Sequence, residues 1–273
     1  MIGPMLAALR LIHPAPAAAV VALSAALGAI LATQAGLPID ERWAFTVLAV
    51  AGSQVFTGAT NDIADRVRDA GARPEKPIPA GELSLNAATW IASIGLAVQL
   101  AASWRVGGLA LALGAVASGS ALAYNLALSR TPFSAIPYLV SFGLLPAWIA
   151  AGIGVPLERV LPAIPLIAPF AVAAHLANTL RDFEADAAGS SRSLAQVLGR
   201  QAGRRLAAGL ALAVGLGVGG ALLIGGRAPS ASAGLGLLGL LAIAQGAPSE
   251  RRLWYGILVA AVCWTAAWAL STA

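Results

Sequence analysis

Charge is what this sequence has least of. Only 11% of its 273 residues are Asp, Glu, Lys or Arg, where a soluble domain carries about 25%. The hydrophobic fraction is 59% and the mean hydropathy is +0.81. That balance excludes a water-soluble domain and implies an integral membrane protein. Cysteine is nearly absent: Cys263 is alone, so no disulfide can form within the chain, and its apolar neighbours give it a packing role. The first apolar run has no basic leader and no small-residue cleavage site. It therefore reads as a retained helix rather than a signal peptide. Glycine and alanine are abundant, which suits helices packed closely in lipid. The net charge of +5 does not point to nucleic acid, because membrane topology accounts for it.

A spanning helix needs about 20 predominantly apolar residues. Nine stretches qualify, at roughly 15–35, 43–60, 86–103, 105–124, 133–152, 161–180, 206–225, 231–247 and 253–271. Only Trp104-Arg105 separates the third from the fourth. Pro162, Pro165 and Pro169 should bend the start of the sixth. With nine spans, 13 of the 17 Lys and Arg residues fall on the side of the N-terminus, and Arg42, Arg105, Arg159 and Arg227 fall on the other. The positive-inside rule then puts the N-terminus in the cytoplasm. Most aromatic residues, including Tyr138 and the tryptophans Trp43, Trp104, Trp148, Trp254, Trp264 and Trp268, read as interfacial belts. His13 reads as an interfacial residue. His175 reads as packing, with cavity lining as the alternative.

The acids that remain are concentrated. Asn61, Asp65 and Asp69 are spaced by four, and so are Asn178, Asp182 and Asp186. Residues four apart share a helix face, so each set should form a column of two carboxylates and an amide. The sets lie 117 residues apart, which is four spans. The spacing suggests a weak four-helix repeat with both motifs on the cytoplasmic side, facing one cavity. Unpaired carboxylates are costly at a membrane boundary. A hard divalent cation solves this, and Mg2+ is commonly shared between carboxylates, water and phosphate. Arg66, Arg68, Arg73, Lys76 and Arg181 flank the motifs and suit a polyanion. An isoprenyl diphosphate, with a charged head and an apolar tail, has the matching shape.

Asn61-Asp62-x-x-Asp65-x-x-x-Asp69, then Arg73-Pro74 and Lys76-Pro77-Ile78-Pro79-x-Gly81-x-x-Ser84, resembles the first signature of the UbiA family of intramembrane prenyltransferases. Asn178 to Asp186, continuing through Gly189, Ser193-Leu194 and Leu198-Gly199, resembles the second. The resemblance implies an all-α membrane protein of nine helices around a central cavity, formed by 1–273 as a single domain. It implies Mg2+ held by Asp62, Asp65, Asp69, Asp182 and Asp186, with catalytic roles for Asp62, Asp65, Asp182 and Tyr124. It implies diphosphate binding by Asn61, Arg10, Arg66, Arg73, Lys76, Asn178 and Arg181. A lysine often follows the tyrosine by four residues in that family, but here Leu128 stands there and Arg130 is the nearest substitute. The expected function is transfer of a prenyl group from an isoprenyl diphosphate to an aromatic or lipid acceptor. The expected place is the inner or plasma membrane, among lipid. A terpene cyclase on the same scaffold is the alternative, and a cation or proton-coupled transporter a remote one.

Overall fold

The structure is a computed structural model that describes residues 2–224 and 230–272. Its helices are α1 (Ile2–Leu11), α2 (Pro14–Gln34), α3 (Glu41–Ala72), α4 (Leu85–Val106), α5 (Gly108–Ala123), α6 (Ile136–Ile153), α7 (Ile164–Arg181), α8 (Phe183–Ala188), α9 (Leu194–Leu198), α10 (Arg200–Ile224), α11 (Ser230–Gly246) and α12 (Glu250–Thr272). No strand occurs among the described residues. Each of the nine apolar stretches lies mainly on one helix, the fourth starting at the end of α4 and the seventh described as far as 224. Seven of these helical segments are long and apolar enough to cross a membrane. The other two are α3, whose 32 residues include the acid motif, and α11, with 17. Arg227 lies outside the described residues.

The chain forms two compact units: Met1–Leu128 with Leu144–Leu161, and Ser129–Gly143 with Pro162–Ala273. Helix α6 contributes its first turns to the second unit and its later turns to the first.

In the first unit α3 packs along α4, and where Gly52 meets Gly95 the two backbones come close. A β-carbon on Gly52 would lie 2.7 Å from the backbone N of Gln99 and the O of Gly95. One on Gly95 would lie 2.8 Å from the backbone N of Phe56. Without a hydrophobic drive between helices in lipid, close backbone approach supplies the attraction. Ala49, Val50, Ala102, Val106, Ala110, Ala117 and Trp148 fill the core beside this seam. Trp148 is only 2% exposed, so it belongs to this core and not to an aromatic belt. Trp90 and Trp104 on α4 are 70% and 72% exposed and give that helix an apolar outer face. The break between α4 and α5 is one residue, Gly107, whose φ of 140° excludes other side chains.

The second unit is built on alanine. Ala173 and Ala177 of α7, Ala207 and Ala211 of α10, and Ala260 of α12 are fully buried with Leu176, Ile243 and Leu253. The prolines act as expected: two 3-10 turns, Leu157–Arg159 and Leu161–Ala163, precede α7, and Pro165 sits in its first turn. His175 is fully buried, with Nε2 3.0 Å from Ser134 Oγ and its ring centroid 4.4 Å from that of Tyr138. The packing reading of this histidine describes what is seen.

Candidate active site

Helix α3 begins at an Asp40 cap, where the carboxylate accepts the Arg42 N–H. It runs 12 residues past the apolar stretch that ends at 60, and the acid motif occupies that extension. The chain then turns back through 73–84. Internal bonds tighten this loop: Lys76 N–H to Arg73 O at 3.1 Å, Ala80 N–H to Lys76 O at 2.9 Å and Leu83 N–H to Pro77 O at 3.0 Å. Ser84 caps α4 by accepting the Ala87 N–H at 3.1 Å.

The acids of the first motif do not form one column. A spacing of four advances by about 40° around an α-helix, whereas a spacing of seven returns to within about 20°. Asp69 therefore falls in line with Asp62, not with Asn61. Asp62 and Asp69 are 3% and 2% exposed. The Lys76 ammonium donates to both, at 2.7 Å to Asp62 Oδ1 and 2.8 Å to Asp69 Oδ2. His13 Nε2 lies 3.0 Å from the same Asp62 oxygen. Burial works to raise the Asp62 carboxyl. Hydrogen bonds from His13 and Lys76, with their charge, outweigh it and hold the carboxyl below its ordinary range.

Asn61 and Asp65 form the other edge. Asn61 Nδ2 donates to Asn125 Oδ1 at 3.3 Å. Asn125 in turn donates to Thr57 O at 3.0 Å and Thr60 Oγ1 at 2.8 Å. Asp65 pairs with Arg68 one turn along, and its side chain is 16% exposed. Arg66 is exposed and donates to Ile63 O at 2.9 Å. Tyr124 and Asn125 open a π-helical turn, Tyr124–Leu128. Such turns are frequent at functional sites.

Two of these residues were missed by sequence reasoning. His13 was expected at an interface. It sits at the α1–α2 junction with φ 51° and reaches Asp62, a contact not foreseen, because Gly58 lets that junction lie on α3. A β-carbon on Gly58 would come 2.8 Å from Ile12 O. No local pattern announces this contact. Asn125 did carry a signal: it is a carboxamide directly after Tyr124 at the end of an apolar run. Arg10 is found at the loop, where it pairs with Glu82 Oε2 at 2.8 Å and donates to Glu75 O.

The second motif departs from a continuous helix. α7 ends at Arg181, Asp182 is its C-terminal cap with φ −101° and ψ 15°, and α8 starts at Phe183. The Asp182 N–H bonds Thr179 O at 3.2 Å, a tightened last turn, and the Asp186 N–H still reaches Asp182 O at 2.9 Å. Tertiary contacts set the break. Gln196 donates to Phe183 O at 2.6 Å, and the Arg181 guanidinium stands 5.7 Å from the centre of the Trp254 ring. Asn178 accepts from Arg181 at 3.5 Å. Asp182 is exposed and Asp186 half-buried. Glu184 faces elsewhere, paired with Arg200 at 2.7 Å. Arg130 is exposed, and its backbone O accepts the Arg192 N–H at 3.0 Å.

Residues 21–255 match the UbiA prenyltransferase family. The chain belongs to that family. A relative from Methanoculleus marisnigri, a digeranylgeranylglyceryl phosphate synthase, is 33% identical over 187 residues, or 67% of this chain. The matched segment spans 65% of that relative's length, just under two thirds. A solved digeranylgeranylglyceryl phosphate synthase superposes with a TM-score of 0.71 at 15% identity, covering 98% of this chain and 99% of its own. A UbiA homologue from Archaeoglobus fulgidus, solved bound to GPP and Mg2+, superposes with a TM-score of 0.67 at 16% identity, covering 94% and 86%. The fold is therefore that of UbiA proteins, and the chain is a multi-pass membrane protein.

Proposed function

We propose that this UbiA protein is a Mg2+-dependent intramembrane prenyltransferase, which ionises an isoprenyl diphosphate and passes the prenyl group to an acceptor. The observation that carries the reading is the end of α3. There an acid motif stands beyond the last apolar turn with a basic loop folded back on it, in a chain of this family. Mg2+ is usually held by one or two carboxylates, with phosphate and water completing an octahedron. No group of three or more His, Cys, Asp or Glu is set to hold a metal among the described residues, and that coordination needs none. Asn61 and Asp65 offer the right oxygens, as do Asp182 and Asp186. When bound, Mg2+ neutralises the diphosphate as it leaves.

Asp65, Asp182 and Asp186 are the carboxylates assigned to the metal, and Asn61 adds an amide oxygen. Its N–H group is committed to Asn125, so Oδ1 is the amide atom a cation would use. Arg66, Arg73, Arg181 and Arg130, with Asn178 and the Tyr124 hydroxyl, are assigned to the diphosphate. Arg10 supports them by holding the 73–84 loop through Glu82 and Glu75. Asp62 and Asp69 are already bridged by Lys76. The apolar helix walls keep water from the allylic cation. The two motifs serve one reaction in one catalytic domain, 1–273, with the N-terminus and the motif-bearing loops in the cytoplasm of a cell enclosed by the inner or plasma membrane.

The relative's name favours a lipid alcohol over an aromatic ring as acceptor, since its product is a glyceryl phosphate carrying two geranylgeranyl groups. Purified protein should be given geranylgeranyl diphosphate with either a prenylglyceryl phosphate or a hydroxylated aromatic acid. Mass spectrometry should find the prenylated lipid. Prenylation of the aromatic acid alone would reverse the acceptor assignment, and a cyclic terpene formed without any acceptor would remove the transferase reading.

A further inference from the structure

Spacing of seven places Asp62 and Asp69 within about 20° of each other on α3, with Asp65 some 40° to 60° away toward Asn61. The two aligned acids are also the buried ones, at 3% and 2% exposed. One oxygen of each is already engaged by a protein donor: Lys76 Nζ on Asp62 Oδ1 and on Asp69 Oδ2, and His13 on the same Asp62 atom as Lys76. A hard cation at either buried carboxylate would have to compete with the ammonium that already bridges the pair. We infer that Asp62 and Asp69 do not ligate the metal but anchor Lys76, and that Lys76 is a positioning residue which fixes the 73–84 loop over the motif. This rests on the prenyltransferase reading for what the loop then does.

The loop is built to transmit that anchor. Lys76 is the pivot of its internal bonds, with its N–H on Arg73 O and its own O holding Ala80. Beyond it, Leu83 and Ile78 pack with Ala7 and Leu11 of α1 and Ala88 of α4. Arg10 grips the same loop at Glu75 and Glu82. Lys76 is therefore fixed at two points, its backbone by the turn and its ammonium by two carboxylates, and the flanking chain is held by α1. Arg73 lies three residues before it, at the cap of α3, where its N–H bonds Asp69 O at 2.7 Å. The same Asp69 thus holds both ends of the segment Arg73–Lys76. Fixing Lys76 fixes where the Arg73 side chain starts from, and a guanidinium is the fork that suits a diphosphate.

The test compares Asp65→Asn, Asp69→Asn, Lys76→Met, Lys76→Arg and the charge-free triple variant Asp62→Asn/Asp69→Asn/Lys76→Met. The triple variant keeps the experiment open if the single changes fail to fold, because removing all three charges strands none of them. Three readouts are needed: Mn2+ binding with inorganic pyrophosphate by electron paramagnetic resonance, hydrogen exchange of 73–84, and kcat and KM for the donor. The anchor predicts undiminished Mn2+ binding in Asp69→Asn, Lys76→Met and the triple variant. It also predicts faster exchange in 73–84, and a rise in KM of about tenfold or more with a smaller change in kcat. Lys76→Arg should recover most of the loss, and Asp65→Asn should lose the Mn2+ signal. Loss of Mn2+ binding in Asp69→Asn with 73–84 still protected would overturn the inference. If wild-type protein binds no Mn2+ with pyrophosphate, the prenyltransferase reading fails instead, and the exchange data alone judge the anchor.

Discussion

Asp65→Ala and Asp182→Ala should each lower prenyl transfer by on the order of 10³-fold, because the charge stabilisation a bound divalent metal supplies is several kcal/mol. Both proteins should still fold and reside in the membrane. Asp65 lies at the more open edge of α3 and pairs with Arg68, one turn along its own helix. Helix surface pairs of that kind contribute only about 0.3–0.5 kcal/mol. Asp182 is exposed at the end of α7, and the bonds that shape the chain there use its backbone N–H and O. Replacing either side chain thus removes a carboxylate and leaves the backbone bonds of its helix in place. Turnover measured beside a thermal melt in detergent separates the two effects. Full activity in both variants would end the assignment of the acid motifs to the reaction.

The second large effect is structural. Gly52→Val should prevent the first unit from folding stably. The new β-carbon would meet the backbone of Gln99 and Gly95 at 2.7 Å, and neither is a flexible side chain that can swing aside. Overpacking commonly costs about 1–3 kcal/mol. Here a β-carbon with a branched side chain collides with backbone, so α3 and α4 must separate and the cost should lie at or above the top of that range. The acid motif sits on the same helix, so activity should fall with the fold. Gly52→Ala should show a milder loss. Size-exclusion profiles and melting temperatures of both variants check this, and wild-type values for Gly52→Val would contradict the packing described for α3 and α4.

Hydropathy made the helices legible, because a long apolar run in lipid has few alternatives to a helix. The acid motifs were legible as well, since charge is scarce enough for each acid to stand out. What the spacing hid is how the acids are divided. Fourfold spacing suggested a column of Asn61, Asp65 and Asp69. The sevenfold relation that aligns Asp62 with Asp69 shows its meaning only once Lys76, on a returning loop, is seen to bridge them. Helix α1 and the contact of His13 with Asp62 depend on a close approach at Gly58, which no local pattern encodes. The end of α7 at Asp182 was hidden for a similar reason. Local propensity would continue the helix to Asp186, but the contacts of Gln196 and Trp254 decide where it breaks. Trp148 was misplaced because position along a span says nothing about which side of the helix faces lipid.

The most direct measurement follows diphosphate release from geranylgeranyl diphosphate by purified protein, with and without a lipid-alcohol acceptor, and with Mg2+ present or chelated. A metal-dependent prenyltransferase should release diphosphate only when both acceptor and Mg2+ are supplied, in step with formation of the prenylated acceptor. Release that continues after chelation, or that proceeds equally without acceptor, would contradict it.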